Sequence, residues 1–161
     1  MSCNCRLLSF SEIYGEELVL TVTLTICANK KREKICFPSA VAPECASYIT
    51  LNASDRNVRY KGRAKCDNNL ETKWYRFQGQ AGKKLTTTCP QIHRCNTDIP
   101  GWMNGKHPTV EDGKVQRQVC FHGYEKCCFR STTIDVRNCG AYFVYRLNKL
   151  SYCNSRYCGT G

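Results

Sequence analysis

The sequence predicts a mainly β, disulfide-rich, compact antiparallel domain with short helices, α+β at most, preceded by a β-hairpin. Three observations carry that expectation: 14 of the 161 residues are cysteine, helical periodicity is weak throughout, and short apolar runs are separated by turn residues. An apolar content of 42% with 11% aromatic residues argues against disorder and for a real core. The length suits one ordinary domain with a small appendage rather than two full domains. No run of 18 apolar residues occurs, so a membrane-spanning helix is not expected.

Charge suggests where the appendage ends. Residues 1–44 hold five basic and five acidic side chains, whereas residues 45–161 hold 19 and eight, the whole excess of +11. A junction near Pro43 therefore divides an N-terminal hairpin or extension, 1–44, from a cysteine-rich domain, 45–161. In the first piece Leu18, Leu20, Val22, Leu24 and Ile26 alternate with Val19, Thr21, Thr23 and Thr25, the period of two that marks a strand. The polar run from Lys30 to Lys34 reads as a turn, after which Ile35-Cys36-Phe37 returns to complete a stapled hairpin.

After Cys45 a short helix is expected between Ala46 and Asn52. Strands are expected at Trp74–Phe77, Leu85–Cys89, Val115–Phe121, Cys127–Val136 and Tyr142–Leu147. Asn104-Gly105, bracketed by Pro100, Gly101 and Pro108, signals a turn. Repeats and low-complexity tracts are absent from the sequence.

Fourteen thiols would be a liability in a reducing compartment, and an even number in a compact chain fits bridges formed in an oxidising one. The expected location is secreted or extracellular. The first 28 residues carry Glu12, Glu16 and Glu17 without a basic n-region or a clean apolar stretch, so no signal peptide is visible. The chain reads as a fragment, an incomplete reading frame or an already processed form. Cysteine spacings of C-x-C, C-x8-C, C-x5-C and C-x4-C lack the repeated C-x2-C that presents paired thiolates to zinc, and no metal or cofactor is expected. Adjacent side chains on a strand point to opposite faces, so Cys127 and Cys128 should bond to different partners and tie two layers together.

Residues from Cys66-Asp67 through Lys73-Trp74-Tyr75-Arg76-Phe77-Gln78-Gly79, Thr88-Cys89, Arg94-Cys95-Asn96-Thr97, Trp102-Met103-Asn104-Gly105, His107-Pro108, Cys127-Cys128 and Tyr157-Cys158 resemble the uromodulin-type cysteine-rich decoy family. The resemblance covers residues 45–158. It implies the pairs Cys45 with Cys139, Cys66 with Cys153, Cys89 with Cys127, Cys95 with Cys158, and Cys120 with Cys128. By weaker analogy with the hairpin that precedes the family's domain, it also implies Cys3 with Cys27 and Cys5 with Cys36. Members of that family present N-linked, often high-mannose glycans that occupy bacterial fimbrial lectins, and usually sit beside growth-factor-like and zona pellucida modules.

The sequence departs from that pattern at two positions. Asn104 is followed by Gly105 and Lys106, without the hydroxyl that a glycan acceptor needs, and Arg146 stands where uromodulin carries a second glycosylated Asn. Asn52-Ala53-Ser54 is the remaining acceptor motif. Arg56, Arg59, Lys61, Arg63 and Lys65 form a candidate polyanion-binding run, and Lys30, Lys31, Arg32 and Lys34 a second cluster. Outside the cell their partner would be sulfated glycan or anionic bacterial envelope rather than nucleic acid, although such a run is usually only a solvated face.

Catalysis is not expected. His93, His107 and His122 lack companions at metal-binding or nucleophile-pair spacing, His107 belonging with Pro108 to a loop landmark. Cys120 beside His122 would offer no thiolate once bridged. Glu111 and Asp112 lie in a glycine-containing turn, and Trp74, Trp102, Tyr75 and Phe77 read as packing residues. The expected role is a non-catalytic recognition or adhesion module in a glycoprotein, matrix or innate-defence setting, partnered by glycans, glycoproteins or microbial adhesins. The alternative is a free-standing cationic protein that binds sulfated polysaccharides or bacterial surfaces.

Overall fold

A computed structural model describes the backbone of residues 4–13, 19–29 and 32–35 and both backbone and side chains from residue 41 onward. The chain divides into two compact units, Met1–Val41 and Ala42–Gly161.

The first unit is a three-stranded antiparallel sheet of β1 (Asn4–Ile13), β2 (Val19–Asn29) and β3 (Arg32–Ile35), in that order. The expected two-stranded hairpin thus gains a strand. Leu8 and Phe10 alternate with Ser9 and Ser11 in β1, a period-two pattern too polar to stand out by sequence. Cys5 lies opposite Cys27 in the backbone register. Cys3 and Cys36, and with them the expected Cys3–Cys27 and Cys5–Cys36 bridges, lie outside the described residues, as do the side chains of the Lys30–Lys34 cluster.

In the second unit a single helical turn, α1 (Pro43–Ala46), leads into β4 (Ile49–Leu51). The helix expected over Ala46–Asn52 is therefore displaced. Pro43 fits the first turn of a helix, whereas Ile49 and Thr50 are β-branched and pair in parallel with β5 (Lys73–Phe77). The remaining strands are β6 (Lys84–Leu85), β7 (Ile99–Asn104), β8 (Lys114–Gly123), β9 (Lys126–Asn138), β10 (Phe143–Leu147), β11 (Ser155–Tyr157) and β12 (Gly159–Thr160). Seven of the strands form one sheet in the order β11-β7-β8-β9-β10-β5-β4, antiparallel at its centre and parallel at both edges, while β6 and β12 pair separately.

The mainly β expectation holds, with local differences. Only Lys84 and Leu85 of the segment Leu85–Cys89 and its flank are strand. The Pro100–Gly101 stretch, expected as part of a turn, lies within β7, Pro100 being its second residue, where one missing N–H is tolerated. Asn104 ends that strand, and Gly105 leaves it at φ 126°, a conformation that glycine adopts without strain.

The core lies on one face of the sheet. In β8, Val115, Val119 and Phe121 alternate with Gln116 and Gln118; in β9, Ile134 and Val136 share the inner face. They join Tyr75, Phe77, Leu85, Met103, Tyr145, Leu147 and Tyr157 in one buried cluster. The opposite face carries exposed Gln116, Gln118, Thr133 and Arg146, the pattern of an antiparallel sheet with one wetted side.

Candidate functional site

Five bridges hold the second unit: Cys45–Cys139, Cys66–Cys153, Cys89–Cys127, Cys95–Cys158 and Cys120–Cys128. Four of them close loops of 38 to 94 residues, and the fifth only eight. The vicinal cysteines do have separate partners, but Cys128 does not tie a second layer. Its bridge to Cys120 joins neighbouring strands β9 and β8 within one sheet, where the register shifts between Phe121 and Gly123. Cys89, His122 and Cys127 come close enough together to suggest a metal site. Their chemistry speaks against it, since both sulfurs share one disulfide and His122 donates from Nδ1 to the Pro90 carbonyl at 2.6 Å.

Asn52 follows the last residue of β4, and Ser54 opens a short 3-10 turn, Ser54–Arg56. Asn52, Ala53 and Ser54 are all exposed. The acceptor amide is thus presented at a sheet edge, seven positions after the buried half-cystine Cys45. Asn104 is also exposed but donates to Gln118 Oε1 at 3.1 Å; Arg146 is exposed on β10, 3.7 Å from Asp135.

The basic run resolves into three kinds of residue. Arg56 is not a surface cation. Its guanidinium is buried and binds Asp67 through both oxygens at 2.7 and 2.8 Å, while also donating to the Tyr157 carbonyl. Arg63 is exposed but ion-paired to Asp98 at 2.5 Å, and Lys65 lies 3.3 Å from Asp55. Only Arg59 and Lys61 of the five are exposed without an acidic partner among the described residues. The continuous five-cation surface expected from sequence is therefore corrected to two exposed cations flanked by neutralised ones.

The neutralisation belongs to a buried network that spacing could not disclose. Asp67, 3% exposed, also accepts from the Tyr157 amide at 2.9 Å. Arg156 donates to Asp55 Oδ1, to the Asp55 carbonyl and to the Cys95 carbonyl. Burial alone would raise the Asp55 carboxyl, but hydrogen bonds from Asn96 and Arg156, with the Arg156 charge, overcome it and hold it at about 2. Arg56 and Asp67 are 11 positions apart, but the hydrogen bonds that tie Tyr157 and Arg156 to them and to Asp55 span 90 to 101 positions, so no local signal announces the whole.

His107 serves as a loop anchor. Its Nε2 lies 2.8 Å from Tyr145 Oη, which in turn accepts the Leu85 amide at 3.0 Å. The buried hydroxyl thus links the imidazole to the backbone of β6. Burial, and then the charges of Lys84 and Arg117, push His107 down to about 4. His93 lies 3.5 Å from Asp98 on the surface. Trp74 is half-buried; Trp102 donates Nε1 to the Cys127 carbonyl at 2.7 Å, a packing and bracing role. Glu111 and Asp112 are exposed in the loop before β8, where Asp112 accepts the Thr109 amide.

These features define a disulfide-framed β domain with an exposed glycan-acceptor motif and its histidines, where anchored, committed to structure. The chain belongs to the uromodulin-like family, whose model matches residues 75–159. It is 42% identical over 116 residues to the pancreatic secretory granule membrane major glycoprotein of Homo sapiens, covering 71% of this chain and 21% of that protein. To uromodulin of Rattus norvegicus it is 41% identical over 115 residues, 71% of this chain and 18% of that one. The Canis lupus familiaris pancreatic glycoprotein is 39% identical over 116 residues, 71% and 23% respectively. The chain thus spans about a fifth of the length of these relatives. No helix among the described residues is long and apolar enough to cross a membrane.

Proposed function

We propose that this domain works outside the cell as a non-catalytic recognition and adhesion module that displays sugar on Asn52 to glycan-binding partners, microbial adhesins among them. The observation that carries this reading is the exposure of Asn52, Ala53 and Ser54 together at the end of β4, on a framework closed by five bridges. A rigid cross-linked scaffold fixes the direction in which an attached glycan projects and keeps the ordering cost of its recognition low. Family membership supports an extracellular glycoprotein setting. Among the described residues the ten cysteine sulfurs are held in bridges and His107 is hydrogen-bonded to the buried Tyr145 hydroxyl, which supports the non-catalytic reading.

The test is secretion of the chain from eukaryotic cells with mass analysis before and after enzymatic removal of N-glycans. One glycan is expected, lost in Asn52→Gln, together with retention by a mannose-specific fimbrial lectin that the same substitution abolishes. Lectin retention unchanged in Asn52→Gln would defeat the display role.

A second reading, polyanion binding, is favoured by the net charge of +11 and by the exposed Arg59 and Lys61. It predicts that replacing both by Ala lowers the salt needed for elution from heparin, whereas Arg56→Lys, at a buried position, leaves elution of folded protein unchanged.

A further inference from the structure

The inner face of β9 changes character along its length. Val136 and Ile134 are buried in the core, but the same face continues toward the β8–β9 turn as Thr132 and then Arg130. A strand built only for packing would continue apolar there. Instead the segment after β10 crosses this end of the sheet and leaves a cleft of about 350 Å3 beneath it.

The crossing segment is pinned at three points. Asn148 donates to Thr132 Oγ1 and to the Thr133 carbonyl at 3.1 and 2.9 Å. The Leu150 amide donates to the Asp67 carbonyl at 3.3 Å, and Cys153 is bridged to Cys66. The cleft walls are therefore set by three hydrogen bonds and one disulfide rather than by an unanchored loop.

Its lining is chemically specific. Phe121 and Leu150 supply an apolar floor, and Thr132 and Ser151 contribute hydroxyls. Arg130 stacks on the Tyr152 ring, 3.6 Å from its centroid. Tyr152 itself is 56% exposed. Lys149 adds a second cation, and no carboxylate lines the cleft. Among the described residues neither Arg130 nor Lys149 has an acidic partner in ion-pair range. They share that with other surface cations such as Arg59 and Lys61; what distinguishes this pair is that Arg130 is held on Tyr152 and that both line one cleft. Stacking occupies a face of the guanidinium and leaves its N–H edge to point at an acceptor.

We propose that this cleft binds an acidic sugar residue, one bearing a carboxylate or a sulfate, with the anion on the Arg130 N–H edge and Lys149 and the pyranose ring against the part of Tyr152 that Arg130 leaves exposed. The cleft volume suits one or two monosaccharide units and is small for a folded partner. Aromatic face, hydroxyls and paired cations answer in turn to the ring's C–H face, its hydroxyls and its anionic group. This site acts by reading sugar, independently of any sugar carried on Asn52.

The test uses the full chain bearing Asn52→Gln, so that failure of the display role does not bear on the result. Matched neutral, sialylated, uronic-acid and sulfated oligosaccharides are presented on an array, followed by nuclear magnetic resonance titration with sialyllactose, a sulfated N-acetylglucosamine and lactose. At least one acidic class is expected to bind about tenfold or more tightly than its neutral counterpart, and the class that does so identifies the source of the anion. Arg130→Gln and Tyr152→Ala should each lower that affinity about tenfold or more; the exposed Lys149→Gln, whose folding is not at stake, should lower it severalfold. Lys61→Gln should leave it unchanged. Equal binding of neutral and acidic sugars, no binding at about 10 mM, or equal losses in Lys61→Gln and Lys149→Gln would each overturn the proposal.

Discussion

The strand-built part of the second unit and its loop-built part are held by different forces. From Ile99 to Leu147 the four strands β7 to β10 satisfy one another's backbone groups and bury Met103, Val119, Ile134, Val136 and Tyr145 together. Between Asn52 and Thr72, and again from Thr86 to Asp98, regular pairing is scarce, and His93, Cys95 and Asn96 adopt positive φ. Here the Asp67 carboxylate, two buried arginines and long disulfides take over. Asn52, Arg59 and Lys61 project from the part that charge and sulfur hold in place, whereas Arg130 and Thr132 of the cleft stand on the strand-built part. The difference teaches that side chains on irregular backbone can be presented rigidly when a buried ion pair stands in for a ladder.

The comparison breaks most sharply at Asp67. Asp67→Ala leaves Arg56 and Arg156 buried without their shared carboxylate and removes the acceptor of the Tyr157 amide. A loss of about 4–5 kcal/mol is expected, against about 1 kcal/mol for a surface pair such as Arg146 with Asp135. Chemical denaturation of Asp67→Ala and Asp135→Ala side by side measures the contrast, and equal small losses would show that the network is dispensable.

The bridges sharpen the same contrast. Removing Cys95–Cys158, which closes 63 residues across the loop-built part, should cost about 4 kcal/mol by loop-closure entropy. Removing Cys120–Cys128, which closes eight within an already paired hairpin, should cost about 2.5 kcal/mol. Paired Cys-to-Ser variants followed by hydrogen exchange should show the first loosening the segment from Thr86 to Asp98 and the second confined to the β8–β9 end. The reverse pattern would sink the division.

What could be read from sequence follows the same line. β8 and β9 were legible because Val115, Val119 and Phe121 alternate with Gln116 and Gln118 at a period of two. The segment 46–52 was misassigned because a three-residue parallel edge strand carries too little pattern to compete with a helix, and its partner β5 lies more than 20 residues on. Arg56 read as a surface cation because its neighbours are polar, and its burial depends on Asp67 and Tyr157, which only the fold brings near. The Arg130–Tyr152 stack and the His107–Tyr145 bond were invisible for the same reason. Local chemistry could be inferred, whereas long-range pairing of polar groups could not.

The smallest predicted effect separates the two parts by pH. His107, on the strand-built side, is held at about 4 by burial and then by Lys84 and Arg117, against an ordinary value of 6.5. Above pH 6.5 it is neutral in both folded and unfolded chains and stability is complete. As pH falls from 6.5 toward 4 the unfolded chain takes up a proton that the folded chain refuses, so stability declines and the loss is finished below 4. Screening at a half-buried site reduces the expected loss to about 1–2 kcal/mol. Asp55, on the loop-built side, behaves in the other window. Its folded value of about 2 lies below the ordinary 3.8, so its contribution is present above 3.8 and is lost as pH falls through 2. Denaturation profiles between pH 7 and 2 should therefore fall in two steps. His107→Gln should flatten the upper step and spare the lower one, and a titration placing His107 near 6.5 in the folded protein would remove the upper step altogether.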